Sequence, residues 1–307
     1  MNIYTEAEIR RAVDWPEVIA LMRDALRAYS AGLCHTPMPM HIDVPAERGE
    51  AHIKGSYKEG GECFVLKIAT SFPNNVERGL SSGNGMMLLC SAQTGAPLAL
   101  LQDAGYLTDV RTAAVAAMTT LLLERRDSTI AIIGTGIQAR LQAIAHNYVL
   151  PLKRIVVWGR NPERTALCRD EIAATLPGVT AEIAASVAEA ASRTRLLITC
   201  TASRAALLQA SDIQPGTHIH AVGADSVGKQ ELDPAILQDA ALLLTDSTAQ
   251  CGRLGELQHA LHLERRAIEI GAWTGTLSTG AISVADFTGL GAEDLYIATS
   301  CWRKSKP

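Results

Sequence analysis

The sequence carries almost nothing with which to stack a nucleobase. Aromatic residues make up 4%, with only 3 Phe, and the formal net charge is -4. With no basic stripe either, nucleic acid is excluded as a partner. Long apolar runs are also missing, so no segment is expected to cross a bilayer. The opening stretch, MNIYTEAEIRRAVD, is polar and reads as helical, unlike a secretory leader. The 7 Cys are odd in number, and none form a C-x-x-C pair. Reduced thiols in a cytoplasmic protein fit that usage. The spacing of Cys and His offers no clustered zinc ligands, so no metal is expected.

What is present is an α/β pattern. The 307 residues suffice for two domains, and the 24 Gly often close apolar runs. Thr5 and Glu8 have the spacing of a capping box. Asp14 is placed to start a second helix, with Pro16 in its first turn. Val18, Ile19, Met22, Ala25, Leu26 and Tyr29 then recur at threes and fours, and Gly32 ends the helix. Residues 35–105 hold short strand-like runs separated by Gly and Pro, including the hairpin candidate SAQTGAPLAL. This block reads as mainly antiparallel sheet, followed by a helix from about Thr108 to Leu123.

The rhythm then changes. TIAIIG, RIVVWG, RLLITCT, THIHAVG and ALLLTD are apolar throughout, as strands covered on both faces should be. Helical stretches lie between most of them, at 137–149, 162–175, 186–191 and 231–238. The expected organisation is a substrate-binding α+β domain over 1–124 and a Rossmann-type domain over 125–284. A helical segment, 285–307, follows. Two crossings between domains would place a cleft there, a common ligand position.

Gly134-x-Gly136-x-x-Ala139 follows a strand and opens a helix, as a dinucleotide fingerprint requires. The first glycine permits the tight turn and the second lets backbone approach a pyrophosphate. Ala139 keeps helix and strand close. Backbone N–H groups of Thr135, Gly136, Ile137 and Gln138 would hold the phosphates. At the tip of the second strand, where an NAD site usually carries an acid, stand Trp158, Gly159, Arg160 and Asn161. Arg160 suits a 2′-phosphate, so NADPH is favoured over NADH.

Chemistry is expected beyond the carboxyl ends of the strands. There, Thr201, Ala202, Val222, Gly223 and Ala224 are placed along the cofactor, and Asp225 is expected to project into the cleft. Asp225 also has the position of a turn cap. Lys67 interrupts the apolar run FVLKIATSF, an expensive place for a cation without a partner. Arg111 begins RTAAVAAM, where its charge opposes the helix dipole unless its fork grips a carboxylate.

LKIATSFPNN, TGAPLALLQDAGYLTDVRTAA, IIGTGIQARLQ, VGADSVGKQEL and SVADFTGLGAEDL occur together and in order. In this the chain resembles the ornithine cyclodeaminase and mu-crystallin family over most of its length. The resemblance implies a homodimer whose substrate domains pair, and a C-terminal segment returning to the first domain. It also implies a small imino or amino acid as substrate. Lys67 and Arg111 match the residues at the substrate carboxylate, and Asp225 matches the acid near the substrate nitrogen. His41 stands roughly where many members have an arginine after a proline. Lys54, in GEAHIKGSY, replaces the glutamate of ornithine cyclodeaminases. An added cation opposes ornithine's distal ammonium and suits a second carboxylate. The expected activity is therefore NAD(P)H-dependent reduction of an α-imino acid, a cyclic ketimine or an iminosuccinate-like compound. Ornithine cyclodeamination and mu-crystallin-like binding of NADPH and a small ligand are the alternatives.

Overall fold

The structure, a computed structural model, describes residues 1–305. It divides into two compact units. Met1–Arg111 and the residues from Leu290 onward form the first, and Thr112–Gly289 the second.

The first unit opens with strand β1 (Asn2–Thr5), where the sequence alone reads as helical. Four residues are too few to show a strand period, and β1 is fixed by parallel pairing with a distant strand. Helix α1 (Glu6–Ala12) then starts at the capping box, with the Thr5 N–H donating to Glu8 Oε2 at 2.8 Å. Helix α2 (Trp15–Ser30) is capped by Asp14, which accepts from the Glu17 N–H. It buries Val18, Ile19, Met22, Ala25 and Leu26 along one stripe. The strands are β2 (Cys34–His35), β3 (Met40–Val44), β4 (Gly49–Lys58), β5 (Cys63–Ser71), β6 (Gly83–Ser91) and β7 (Pro97–Gln102). Their order is β1-β7-β6-β5-β4-β2, and β3 also pairs with β4. Every pairing except β1 with β7 is antiparallel.

The two faces of this sheet differ. Lys54 stands opposite Lys67, and Lys67 opposite Met87, which faces Leu101. All four are buried, and the C-terminal helix (Gly291–Lys304) packs on β4 and β5. Gly291 permits the approach, since a Cβ there would stand 2.4 Å from the Gly55 carbonyl oxygen. Met40, Ile42, Leu66, Ile68 and Met86 are exposed, and strand alternation puts them on the opposite face.

Helix α3 (Tyr106–Leu122) begins in the first unit and ends in the second. In chain order the second unit has β8 (Thr129–Ile133), α4 (Ile137–Val149), β9 (Arg154–Trp158), α5 (Pro162–Thr175), β10 (Thr180–Ile183) and α6 (Val187–Ser192). There follow β11 (Leu196–Thr199), β12 (Arg204–Leu208), β13 (His218–Ala221), β14 (Gln230–Leu232) and α7 (Pro234–Asp239). Last come β15 (Leu242–Thr245), α8 (Thr248–Leu254), β16 (Ala267–Glu269) and β17 (Ser283–Asp286). The large sheet is parallel, in the order β10-β9-β8-β11-β13-β17-β15-β16. Strands β8 and β11 are adjacent although two strands separate them in sequence, so the chain reverses direction across the sheet there.

Several elements depart from the sequence reading. SVAD, read as the lead into a helix, is β17, fully buried between β13 and β15. Only its neighbours make it a strand, because four residues containing Ser, Ala and Asp carry no apolar run. Strands β10 and β16 carry no apolar run either. The 231–238 stretch splits instead into β14, paired with β12, and α7, which Asp233 caps.

Candidate active site

In the first unit, the structure brings Lys54, Lys67 and Arg111 together with two carboxylates of the C-terminal helix. Lys67 is 2% exposed, and its Nζ lies 2.8 Å from Asp294 Oδ2. Arg111 donates from Nε to Asp294 Oδ1 at 3.1 Å and from Nη1 to Glu293 Oε2 at 2.9 Å. Glu293 and Asp294 are both buried, as is Lys54 beside Lys67. Burial disfavours the Lys67 ammonium. Asp294 opposes that, but Arg111 and Lys54 add repulsion, and Lys67 is lowered to about 7. Burial pushes the Asp294 carboxyl up, yet Lys67, Arg111 and Lys54 outweigh it and hold it below its ordinary value.

Helix α3 begins at Tyr106, so Arg111 lies in its second turn rather than at its positive end. Glu293 and Asp294 already answer its charge. Both residues lie within GLGAEDL, where sequence alone assigns them no role. An acidic pair opening a helix ordinarily just complements the dipole. His41 sits on β3 with Nε2 2.9 Å from Asp43 Oδ1, directly opposite His52. It shares the sheet face of Lys54 and lies nearer the edge.

In the second unit, the glycine loop joins β8 to α4. Gly134 has φ +141°, and a Cβ there would come within 2.7 Å of both the Cys200 carbonyl oxygen and its Sγ. Gly136 is the N-cap of α4, and a Cβ on it would meet nothing within 4 Å. No side chain caps α4, whereas Asn161, Ser186, Asp233 and Ser247 cap α5, α6, α7 and α8. The start of α4 therefore presents backbone donors toward open space, with exposed Gly136 and Ile137 beside it. Ala139 is fully buried against the sheet. This geometry fits the pyrophosphate of a dinucleotide.

At the end of β9, Gly159 is enforced by packing. A Cβ there would stand 2.3 Å from Thr135 Cγ2 and 2.7 Å from Thr165 Oγ1. Arg160 is exposed, and Asn161 spends its side chain on the Arg164 N–H. Thr201 donates from its N–H and hydroxyl to Glu231 Oε1, and the Gly223 N–H donates to Glu231 Oε2 at 2.8 Å. Glu231 thus ties together the loops after β11 and β13. Burial raises its pKa despite hydrogen bonds from Thr199, Thr201 and Gly223. Sequence reasoning missed it, because an acid in VGKQEL looks like ordinary surface. Exposed Ala202 and buried Val222 flank this tie, and Ala224 is fully buried.

Asp225 does not stand alone. Its Oδ1 accepts from Lys229 Nζ at 2.6 Å and from Ser226 Oγ at 3.1 Å, and its side chain is 47% exposed. Both of these partners are side chains of the turn that follows.

Comparison with known proteins places these features in context. The model of the ornithine cyclodeaminase/mu-crystallin family matches residues 1–306. A Rhizobium meliloti protein carrying a provisional dehydrogenase name is 37% identical, covering 99% of this chain and 96% of its own. The Thermococcus litoralis Δ1-pyrroline-2-carboxylate reductase, solved with NADH and L-proline, has 27% identity and a TM-score of 0.91, covering 99% of this chain and 97% of its own. The iminosuccinate reductase of Paracoccus denitrificans, solved with NAD+, has 25% identity and a TM-score of 0.89, covering 99% and 96%.

Proposed function

We propose that this chain, which belongs to the ornithine cyclodeaminase/mu-crystallin family, is a nicotinamide-dependent reductase that converts an α-imino acid into an α-amino acid. One observation carries the reading. In the first unit the cations Lys54, Lys67 and Arg111 are buried in one cluster, beside the carboxylates Glu293, Asp294 and Asp103. A guanidinium and two amino groups gathered in this way suit a substrate carboxylate. NADPH or NADH, held at the start of α4, supplies the hydride when bound. Arg111 and Lys67 hold the α-carboxylate, with Lys54 and His41 beside them. Lys67, poised near neutral pH, passes a proton to the imine nitrogen, since the protonated imine is the better hydride acceptor. Asp225 stabilises that cation once Lys229 gives way. Lys54 favours a substrate with a second carboxylate and disfavours the distal ammonium of ornithine.

Two finer points belong to the same reading. Arg160 favours NADPH, because its exposed guanidinium stands at the end of β9 where a 2′-phosphate would lie. The exposed apolar face of Met40, Ile42, Leu66, Ile68 and Met86 pairs with a second copy of the chain. The test is a panel of cyclic ketimines, iminosuccinate, and pyruvate with ammonia, each with NADPH and NADH, followed by absorbance of the reduced cofactor. Consumption with an imino dicarboxylate is expected. Ammonia release from ornithine without net cofactor consumption would replace this reading with cyclodeamination. Tight NADPH binding with no turnover across the panel would leave a binding protein.

A further inference from the structure

The β3–β4 edge of the first unit carries a second cluster, which the reaction above does not use as a whole. His41 and His52 are direct cross-strand partners, and Asp43 and Glu50 are the next pair on the same face. The two imidazoles meet with centroids 4.6 Å apart in an edge-to-face arrangement. His52 Nε2 lies 3.6 Å from Glu50 Oε2. One donor atom from each of His41, Glu50 and His52 falls within 4.8 Å of the others. His41 is exposed and the other two are half-buried, so the group is open to solvent.

We propose that His41, Glu50 and His52 form a binding site for a divalent transition metal, with zinc as the representative ion. Two imidazoles and one carboxylate suit zinc and its late first-row neighbours. Magnesium and calcium prefer sets made only of oxygen. Ligands bound at zinc distances stand roughly 3.4 Å apart, so the three side chains close by small rotamer shifts while the strands stay in register. The antiparallel ladder fixes that register and keeps all three on one face. Asp43, at 2.9 Å from His41 Nε2, orients the ring and leaves Nδ1 to the metal, the arrangement of a carboxylate–histidine–zinc pair. Three protein ligands leave a fourth position for water or an external anion. Sequence spacing concealed the site, because the ligands come from two strands joined by a turn. Of the three ligands only His41 figures in the reaction above, and metal binding does not depend on that role.

The experiment uses the full chain after chelator treatment, titrated calorimetrically with Zn2+ and separately with Mg2+. Wild type should bind one Zn2+ per chain and no Mg2+ at comparable concentration. His52→Asn and Glu50→Gln should each lose at least about tenfold in affinity, and Asp43→Asn roughly 10–100-fold. Circular dichroism checks that each variant is folded, and Glu50→Gln, nearly isosteric, carries the test if His52→Asn is not. Co2+ supplies an independent readout, with visible d–d bands and no thiolate charge-transfer band. Absence of Zn2+ binding, wild-type affinity in folded Glu50→Gln, equal Mg2+ affinity, or a thiolate band from one of the cysteines would each overturn the proposal.

Discussion

Lys67 and Asp294 meet at 2.8 Å, and neither has more than 2% of its side chain exposed. One comes from the middle of a strand and the other from the first turn of the C-terminal helix. Arg111 shares the same carboxylate. A proton on Lys67 is therefore contested between burial, which expels it, and Asp294, which retains it.

That contest predicts a pH profile. Lys67 is lowered to about 7 from 10.5, so in the folded protein it is charged below about 7 and neutral above. If its ammonium supplies the proton to the imine, kcat/KM for an imino acid should fall as pH rises through about 7. Lys67→Arg keeps the charge at every pH and removes the titration. It should flatten that limb and lower kcat by roughly 10²–10⁴, the range for a lost general acid. A flat limb with undiminished kcat would leave Lys67 as a carboxylate anchor only.

Asp294→Asn should weaken the fold. It removes the charge that answers Lys67 and Arg111 in a buried place, and breaking one side of such a pair costs about 3–5 kcal/mol. Because the Asp294 pKa is lowered in the folded state, its stabilisation is present above the unfolded value of 3.8. It is lost as pH falls through the folded value. Urea unfolding at neutral and acid pH checks both points, and the gap between wild type and variant should narrow in acid. An unchanged neutral midpoint would mean the pair contributes no net stability.

Arg160→Ala should weaken NADPH binding and leave NADH binding near wild type. Arg160 is exposed and has no side-chain partner among the described residues, so its removal leaves the fold intact. Fluorescence titration with each cofactor decides the matter. Equal losses for the two, or a wild-type preference for NADH, would remove Arg160 from the 2′-phosphate site.

Asp225→Asn separates a turn residue from a catalytic one. Asn keeps the volume and still accepts from Ser226 and Lys229, but the negative charge is gone. A residue stabilising an iminium should then lose roughly 10²–10³ in kcat, with cofactor affinity unchanged. Steady-state rates and cofactor titration on the same preparation provide the check. A kcat near wild type would place Asp225 in the turn with Lys229 and nowhere else.

The sequence by itself determined the elements whose signals are local. Asp14 capping α2 and the box of Thr5 with Glu8 act through neighbours a few residues away. Any folded context would use them alike. The long apolar strands were legible for the same reason, since burial on both faces leaves an unbroken run. Tertiary structure decided the rest. SVAD is a strand only because β13 and β15 flank it, and Asn2–Thr5 only because β7 does. The partners of Arg111 lie more than a hundred and eighty positions away, at Glu293 and Asp294. His41 and His52 likewise depend on the β3–β4 register. A buried charge announces in sequence that it needs a partner. Which group answers it depends on distance through space, and sequence separation carries no measure of that.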